Sequence, residues 1–300
     1  MMRPVAVGVD GSAESLAGVA WAAREALRRD LPLRLVHAWD WNPRPTSPMP
    51  ASPAQRGLAQ RILHDAGDSV RRAHPELRVT EDQIEAPAAT ALLETAERSE
   101  LLVLGSRGLS GLTGFLVGSV ALGVVAKAVR PVVLVRAGEQ PSDEHLPADD
   151  GSPSLGTGYR DVVLGLDVGD PCDEVIEFAF EAARLRGARL RVVHAWHARS
   201  PLKAGPGEVG LVDDPRQREE WRGFVNAVLH LWRGKYAEVE VAETIVRGRA
   251  TTALLRAASG ASLLVVGRRM AERPVGPHTG PVTHAVIHHV DCPVAVVPHS

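Results

Sequence analysis

Several things are scarce in this chain, and each shortage excludes something. Only two cysteines, Cys172 and Cys292, stand among its 300 residues, far apart and without any CxxC. Neither a disulfide framework nor a thiolate metal cluster fits that pattern, and the expected setting is a reducing cytoplasm. No apolar run approaches the roughly 18 residues of a membrane span. The opening "MMRPVAVGVDGS" also reaches Asp10 too soon to hold a signal peptide's apolar region. No membrane partner is expected. Charge of one sign is scarce as well: 34 basic against 36 acidic residues give a formal net charge of -2. That balance offers no long-range attraction toward nucleic acid, which is not expected as a partner. Catalytic signatures are missing too, since the chain holds no GxxxxGK[ST] loop and no GxSxG elbow.

What is present is an ordinary apolar content of 45%, carried by Ala, Val and Leu rather than by aromatics, which make up 4%. A chain of this length favours two cores of about 150 residues each. The sequence then repeats itself. "PVAVGVDGS" and "LRLVHAW" in the first half recur as "DVVLGLDVGD" and "LRVVHAW" in the second, so that Asp10 matches Asp167 and His37 matches His194. Further on, "TALLETAERSELLVLGSRG" matches "TALLRAASGASLLVVGRRM", and "RPVVLVR" matches "CPVAVVP".

Each unit alternates apolar runs of strand length with longer amphipathic segments, the pattern of βαβ units around a parallel sheet. The strand runs lack a polar face, as expected when helices cover both sides. In the first unit strands are expected near residues 4 to 9, 33 to 38, 78 to 84, 101 to 105 and 131 to 136. Ser12 suits the cap of a helix whose apolar face is Leu16, Val19, Ala20, Ala23 and Leu27, and Asp170 with Pro171 suits the corresponding helix start in the second unit. The expected architecture is two tandem doubly wound α/β domains, 1–138 and 159–300, each a mostly parallel five-stranded sheet with helices on both faces. Residues 139–158 lie in a polar, acidic stretch rich in Pro, Gly and Ser, and read as a linker. The two closing strands, Pro131 to Arg136 and Pro293 to Pro298, are expected to pair edge to edge and make an intrachain pseudo-dimer. A homodimer stays open. Asn42 to Pro53 and Arg199 to Gly210 read as exposed loops over a ligand.

The stretch "GSRGLSGLTGFLVGS" holds five glycines, Gly105, Gly108, Gly111, Gly114 and Gly118, directly after the strand-like "ELLVL". So dense a cluster implies tight turns or close approach of backbone to something bound. In an open parallel sheet ligands bind beyond the carboxyl ends of the strands, and loop amides with a helix N-terminus can receive phosphate oxygens. A bound phosphate is the leading candidate, and the Ser119 hydroxyl could add a donor.

"VGVDGS" at the first strand, "VHAW" at the second, the spacing G, two residues, G, nine residues, G-S, and the closing "RPVVLVR" resemble the universal stress proteins in a tandem two-domain form. The resemblance covers nearly the whole chain. It implies a Rossmann-like fold of the adenine nucleotide alpha hydrolase type, and ATP as ligand, with or without Mg2+. It places Asp10 and Ala38 against the nucleoside, Gly105, Arg107 and Gly108 near the ribose and first phosphates, and Gly118, Ser119 and Val120 at the outer phosphates. The implied function is a stress-response regulator that meets an unknown protein partner. The alternatives are a nucleotide-independent interaction protein with vestigial sites, and a slow ATPase or autophosphorylating protein using a loop hydroxyl such as Ser110 or Ser119.

The second unit departs from the pattern: Met270 stands in the place of Gly108, and Gly280-Pro281 in that of Gly118-Ser119. Proline has no amide hydrogen to offer a phosphate. One competent nucleotide site is therefore expected, in the first unit, with the second degenerate or adapted to another ligand. His37 and His194 recur in both units and read as structural, and Trp39 and Trp196 as packing at strand ends. His284 and His288 share a helix face but have neither the glutamate of HExxH nor an evident third ligand, and read as packing or interface residues. Arg107, Arg268 and Arg269 read equally as anion contacts or as solvated loop residues.

Overall fold

A computed structural model describes residues 2–39, 53–106, 117–196, 215–270 and 279–300. The first half runs β1 (Val5–Gly8), α1 (Ala13–Arg28), β2 (Leu33–Trp39), α2 (Pro53–Ala73), β3 (Val79–Glu85), α3 (Ala88–Glu97), β4 (Leu101–Ser106), α4 (Ser119–Lys127) and β5 (Val132–Arg136). The second half repeats it as β6 (Val162–Gly165), α5 (Asp173–Arg186), β7 (Leu190–Trp196), α6 (Pro215–Lys235), β8 (Val241–Arg247), α7 (Ala250–Ala258), β9 (Leu263–Arg269), α8 (Pro281–His289) and β10 (Val294–His299). Within each half all strands are parallel, and the order β3-β2-β1-β4-β5 makes the expected doubly wound α/β fold. The strand runs fall within a residue or two of their expected places.

The halves join through one antiparallel pairing, β5 with β10, in the register Leu134 with Val294, Val133 with Ala295 and Val132 with Val296. The expected edge-to-edge pseudo-dimer is thus a continuous ten-stranded sheet. Successive strand residues point to opposite faces, so Val5, Val7, Leu101 and Val103 feed one apolar layer and Ala6, Leu102 and Leu104 the other. Each layer contains residues of both halves, Trp21 and Phe180 in one, Val124 and Val286 in the other. Apolar side chains thus gather in two layers that divide by sheet face and not by half, where one core per half was expected.

Local capping follows the sequence in α1, where the Ser12 hydroxyl accepts the Ser15 amide at 3.2 Å. Its buried stripe is Val19, Ala22, Ala23 and Ala26 with Trp21 and Glu25, whereas Leu16 and Ala20 are exposed. The stripe is rotated from the expected one because α1 packs on its own sheet and also meets α5 across the seam. In the second half the expected cap fails. α5 begins at Asp173, two residues beyond Pro171, and Asp170 pairs instead with Arg269.

At the seam, Glu25 is fully buried and shared by Arg28, Arg29 at 2.7 Å and, from the second half, Arg186 at 2.8 Å. Burial opposes the charge on Glu25, but the three guanidinium groups outweigh it and hold the carboxyl well below its usual range. Arg268 crosses the seam in the other direction. It is buried, and its guanidinium donates to the Ala126 carbonyl at 3.0 Å and to the Ala128 carbonyl, so it caps the C-terminal end of α4. Neither an anion contact nor a solvated loop position describes it.

The stretch that reads as a linker is folded. Pro141–Glu144 forms a 3-10 turn, the Leu146 amide bonds the Gly158 carbonyl at 2.8 Å, and His145 bridges to Tyr159. The Glu144 side chain is fully buried, pairing with Arg24 at 2.8 Å and with Arg28. Polar composition indicated a solvated chain because it does not show that an acidic residue will meet two half-buried arginines of α1.

Two outcomes follow from these charges. Glu25→Gln leaves three arginines without their shared carboxylate, and chemical denaturation should show a loss of about 3–5 kcal/mol. Adding Arg186→Met should cost less than the sum of the single changes. Nearby, burial and then the carboxylates of Asp143 and Glu144 push Glu139 up to about 8 from its ordinary 4.5. A carboxyl raised on folding opposes the folded state once it must ionise, so its contribution falls as pH rises from 4.5 through about 8. Glu139→Gln should remove that fall, giving a higher melting temperature than the unaltered chain above pH 8 and little difference below pH 5.

Candidate functional site

The strand order reverses between β1 and β4, and a cleft of about 310 Å3 opens there, beyond their carboxyl ends. It is lined by Asp10, Ala38, Gly105, Gly118, Ser119 and Val120, six of the eight residues expected at a ligand. Arg107, Gly108 and Ser110 lie outside the described residues, as do the stretches expected to be loops, 42–53 and 199–210, apart from Pro53, which begins α2. Glu14, Ser15, Ala88 and Leu92 also line the cleft. They carry no motif, and only the packing of α1 and α3 beside the strand ends brings them there.

Asp10 ends the first strand segment in a tight turn. Its Oδ1 accepts from the Ser12 amide at 2.9 Å and the Ser12 hydroxyl at 2.5 Å, and Gly11 takes φ +82, a conformation that favours glycine. Partial burial would raise its pKa, but the hydrogen bonds from Ser12 and Ser15 prevail and hold it below the ordinary value. The Ser15 hydroxyl also lies beside it, 3.3 Å from the Asp10 amide. Beneath it, the His37 Nδ1 lies 2.6 Å from the Val9 carbonyl. A carbonyl only accepts, so Nδ1 carries the proton and the ring fixes the strand end, as a structural residue would.

The two glycines expected at phosphate differ in what holds them. A Cβ on Gly105 would lie 2.4–2.6 Å from the backbone of Glu14 and Ser15, so the first turn of α1 rests directly on it. Packing alone requires glycine there. Gly118 has φ -58, open to any residue, and a Cβ on it would meet nothing within 4 Å among the described residues. Neither the backbone nor the core requires it. It precedes α4, whose start has no capping side chain, and the first helical bond is Leu122 to Gly118. The amides of Ser119, Val120 and Ala121 therefore have no helical acceptor, and these three residues line the cleft at the positive end of the helix dipole.

The second half keeps a cleft of similar size, about 280 Å3, lined among others by Asp167, Ala195, Gly267 and Arg269. Its floor is built alike, with the His194 Nδ1 3.1 Å from the Leu166 carbonyl and the Gly169 amide on Asp167 Oδ1 at 3.0 Å. Trp196 is buried in the core, whereas Trp39 is half-buried. The other end differs. Pro281 is the first residue of α8, Gly280 takes φ +73, the Met270 amide donates to the His299 carbonyl at 2.7 Å, and Arg269 pairs with Asp170. The His284 and His288 rings lie 4.6 Å apart, and no group of three metal-ligating side chains occurs among the described residues.

The model of the universal stress protein family matches residues 1–136 and 158–298. A universal stress protein of Mycobacterium tuberculosis is 29% identical over 306 residues, which cover 99% of this chain and 97% of the relative. One from Mycolicibacterium smegmatis is 30% identical over 308 residues, covering 98% and 96%. Among solved structures, a universal stress protein from Archaeoglobus fulgidus shares the fold over 98% of both chains, with a TM-score of 0.68 at 16% identity.

The two glycines separate packing from ligand space in a simple experiment. Gly105→Ala should lower stability by about 1–3 kcal/mol, because the first turn of α1 must move. Gly118→Ala should change it by less than about 0.5 kcal/mol in the same thermal unfolding assay.

Proposed function

Since the chain belongs to the universal stress protein family, we propose that it is a nucleotide-responsive regulator that binds ATP in the cleft of its first half. The observation that carries this reading is the start of α4. Three residues whose amides lack a helical acceptor line the cleft beside a glycine that neither its backbone geometry nor packing among the described residues requires. Such a helix end binds phosphate oxygens through its N–H groups and its dipole. Asp10 and Ala38 sit on the nucleoside side, and Gly118, Ser119 and Val120 on the phosphate side. Gly105 shapes the cleft by letting α1 close on β4. Asp10 and Glu14 place two carboxylates in the same cleft, which favours a triphosphate accompanied by Mg2+ over the free anion. Occupancy fixes the start of α4 and so alters the surface offered to a protein partner. In this reading residues 1–138 and 159–300 are the two domains and 139–158 the strap between them.

Denaturing the purified protein should release an adenine nucleotide. ATP with Mg2+ at tenfold over its Kd should add about 1.4 kcal/mol of stability, seen as a raised melting temperature. Gly118→Asp, which sets a carboxylate in the open space before α4, should abolish that shift while leaving the unliganded melting temperature nearly unchanged. No released nucleotide together with no shift would instead favour a nucleotide-independent interaction protein. Turnover of labelled ATP would identify an enzyme.

A further inference from the structure

We infer that the cleft of the second half is a separate binding site for an unphosphorylated nucleoside, so that the two halves take different ligands. This rests on the nucleotide reading of the first cleft, because it compares the two clefts end by end. At the nucleoside end they agree. Asp167 repeats Asp10, with Oδ1 held by the Gly169 amide and Oδ2 without a partner among the described residues. Ala195 repeats Ala38, and His194 braces the Leu166 carbonyl as His37 braces that of Val9. A carboxylate oxygen in that place accepts from a sugar hydroxyl, and the apolar side chains of Val193, Leu254 and Val266 wall a space suited to a flat base.

At the phosphate end several donors are engaged within the chain, while the Val282 and Thr283 amides at the start of α8 keep no helical acceptor. The Met270 amide bonds the His299 carbonyl at 2.7 Å, the Thr283 hydroxyl bonds the Gly267 carbonyl at 2.8 Å, and Pro281 has no amide hydrogen at all. The cation at that end, Arg269, is held by the Asp170 carboxylate, so an acidic side chain of the protein stands where a ligand anion would need to be. A phosphate brought here would face Asp170 and find these four donors engaged or missing, and a polar group left without partners is costly. The cleft nevertheless keeps its volume, about 280 Å3 against 310 Å3. Fewer phosphate donors among the described residues, beside a kept cavity, point to a ligand that has the nucleoside and lacks the phosphate.

Calorimetric titration of the full chain with adenosine, AMP and ATP tests this. In Asp10→Ala, which removes the acceptor of the first cleft, adenosine should bind one to one, with AMP weaker by about tenfold or more. Adding Asp167→Ala should abolish adenosine binding, with Asp167→Asn as the milder variant if melting shows a folding defect. Asp170→Ala, which frees Arg269, should narrow the gap between AMP and adenosine. The inference is overturned if Asp10→Ala binds no adenosine, if that binding survives loss of the Asp167 carboxylate in a folded chain, or if AMP binds it as tightly. ATP titrated into the unaltered chain reads the first cleft separately. Its failure to bind, beside adenosine binding that depends on Asp167, would overturn the nucleotide reading of the first cleft alone.

Discussion

The antiparallel pairing of β5 with β10 is the contact on which the rest of the molecule depends. Each half alone would expose its last strand as an apolar edge, with Val132, Val133 and Leu134 on one side and Val294, Ala295 and Val296 on the other. Unpaired edges of this kind invite uncontrolled association. Joining them closes both edges and aligns the two sheets, so the helices on each face lie over one continuous apolar layer. The same pairing sets α1 against α5 and the end of β9 against the end of α4.

From that placement come the buried charges. Glu25 would be unstable in a core without Arg28, Arg29 and Arg186 around it, and Arg186 reaches it only because the seam is closed. Glu144 meets Arg24 and Arg28 at the edge of the same cluster and ties the connecting segment to α1. Replacing buried ion pairs with apolar residues often does not weaken a protein, so their better attested contribution is to register. Here the register is that of one half on the other: sliding the seam would leave Arg186 buried without its carboxylate and take one of the three guanidinium groups from Glu25. Arg268 adds a second constraint of the same kind, a cation of the second half seated on the carbonyl end of the helix whose other end faces the first cleft.

Much of this was legible in the sequence, for reasons that can be named. Apolar runs such as "LLVLG" and "VVLVR" are strands because a sheet covered on both faces needs no polar alternation, and the repeat made each assignment twice. Ser12, Asp10 and Gly118 were legible because turns and helix starts use short-range chemistry. What was not legible depends on partners far away in the chain. The rotation of the α1 stripe toward Trp21 and Glu25 needs α5, the folding of 139–158 needs Arg24 and Arg28, and the burial of Arg268 needs the end of α4. Gly105 shows the limit from the other side. Its place in a ligand motif is readable, but the stronger reason for glycine, the backbone of Glu14 and Ser15 at under 3 Å from a Cβ, belongs to tertiary packing.

The same distinction explains why the two clefts differ at one end only. Their floors are set by strand ends and by a histidine bonded to the preceding strand's carbonyl, and that geometry is inseparable from the sheet. Their other ends are set, among the described residues, by the first turn of one helix, which the sheet constrains less. Change at the floor would disturb both apolar layers, whereas change at the helix start leaves those layers in place. A repeated fold is therefore free to vary its two halves at the helix start: Pro281 begins α8 where Ser119 begins α4, and the second cleft is lined by the Asp170–Arg269 pair.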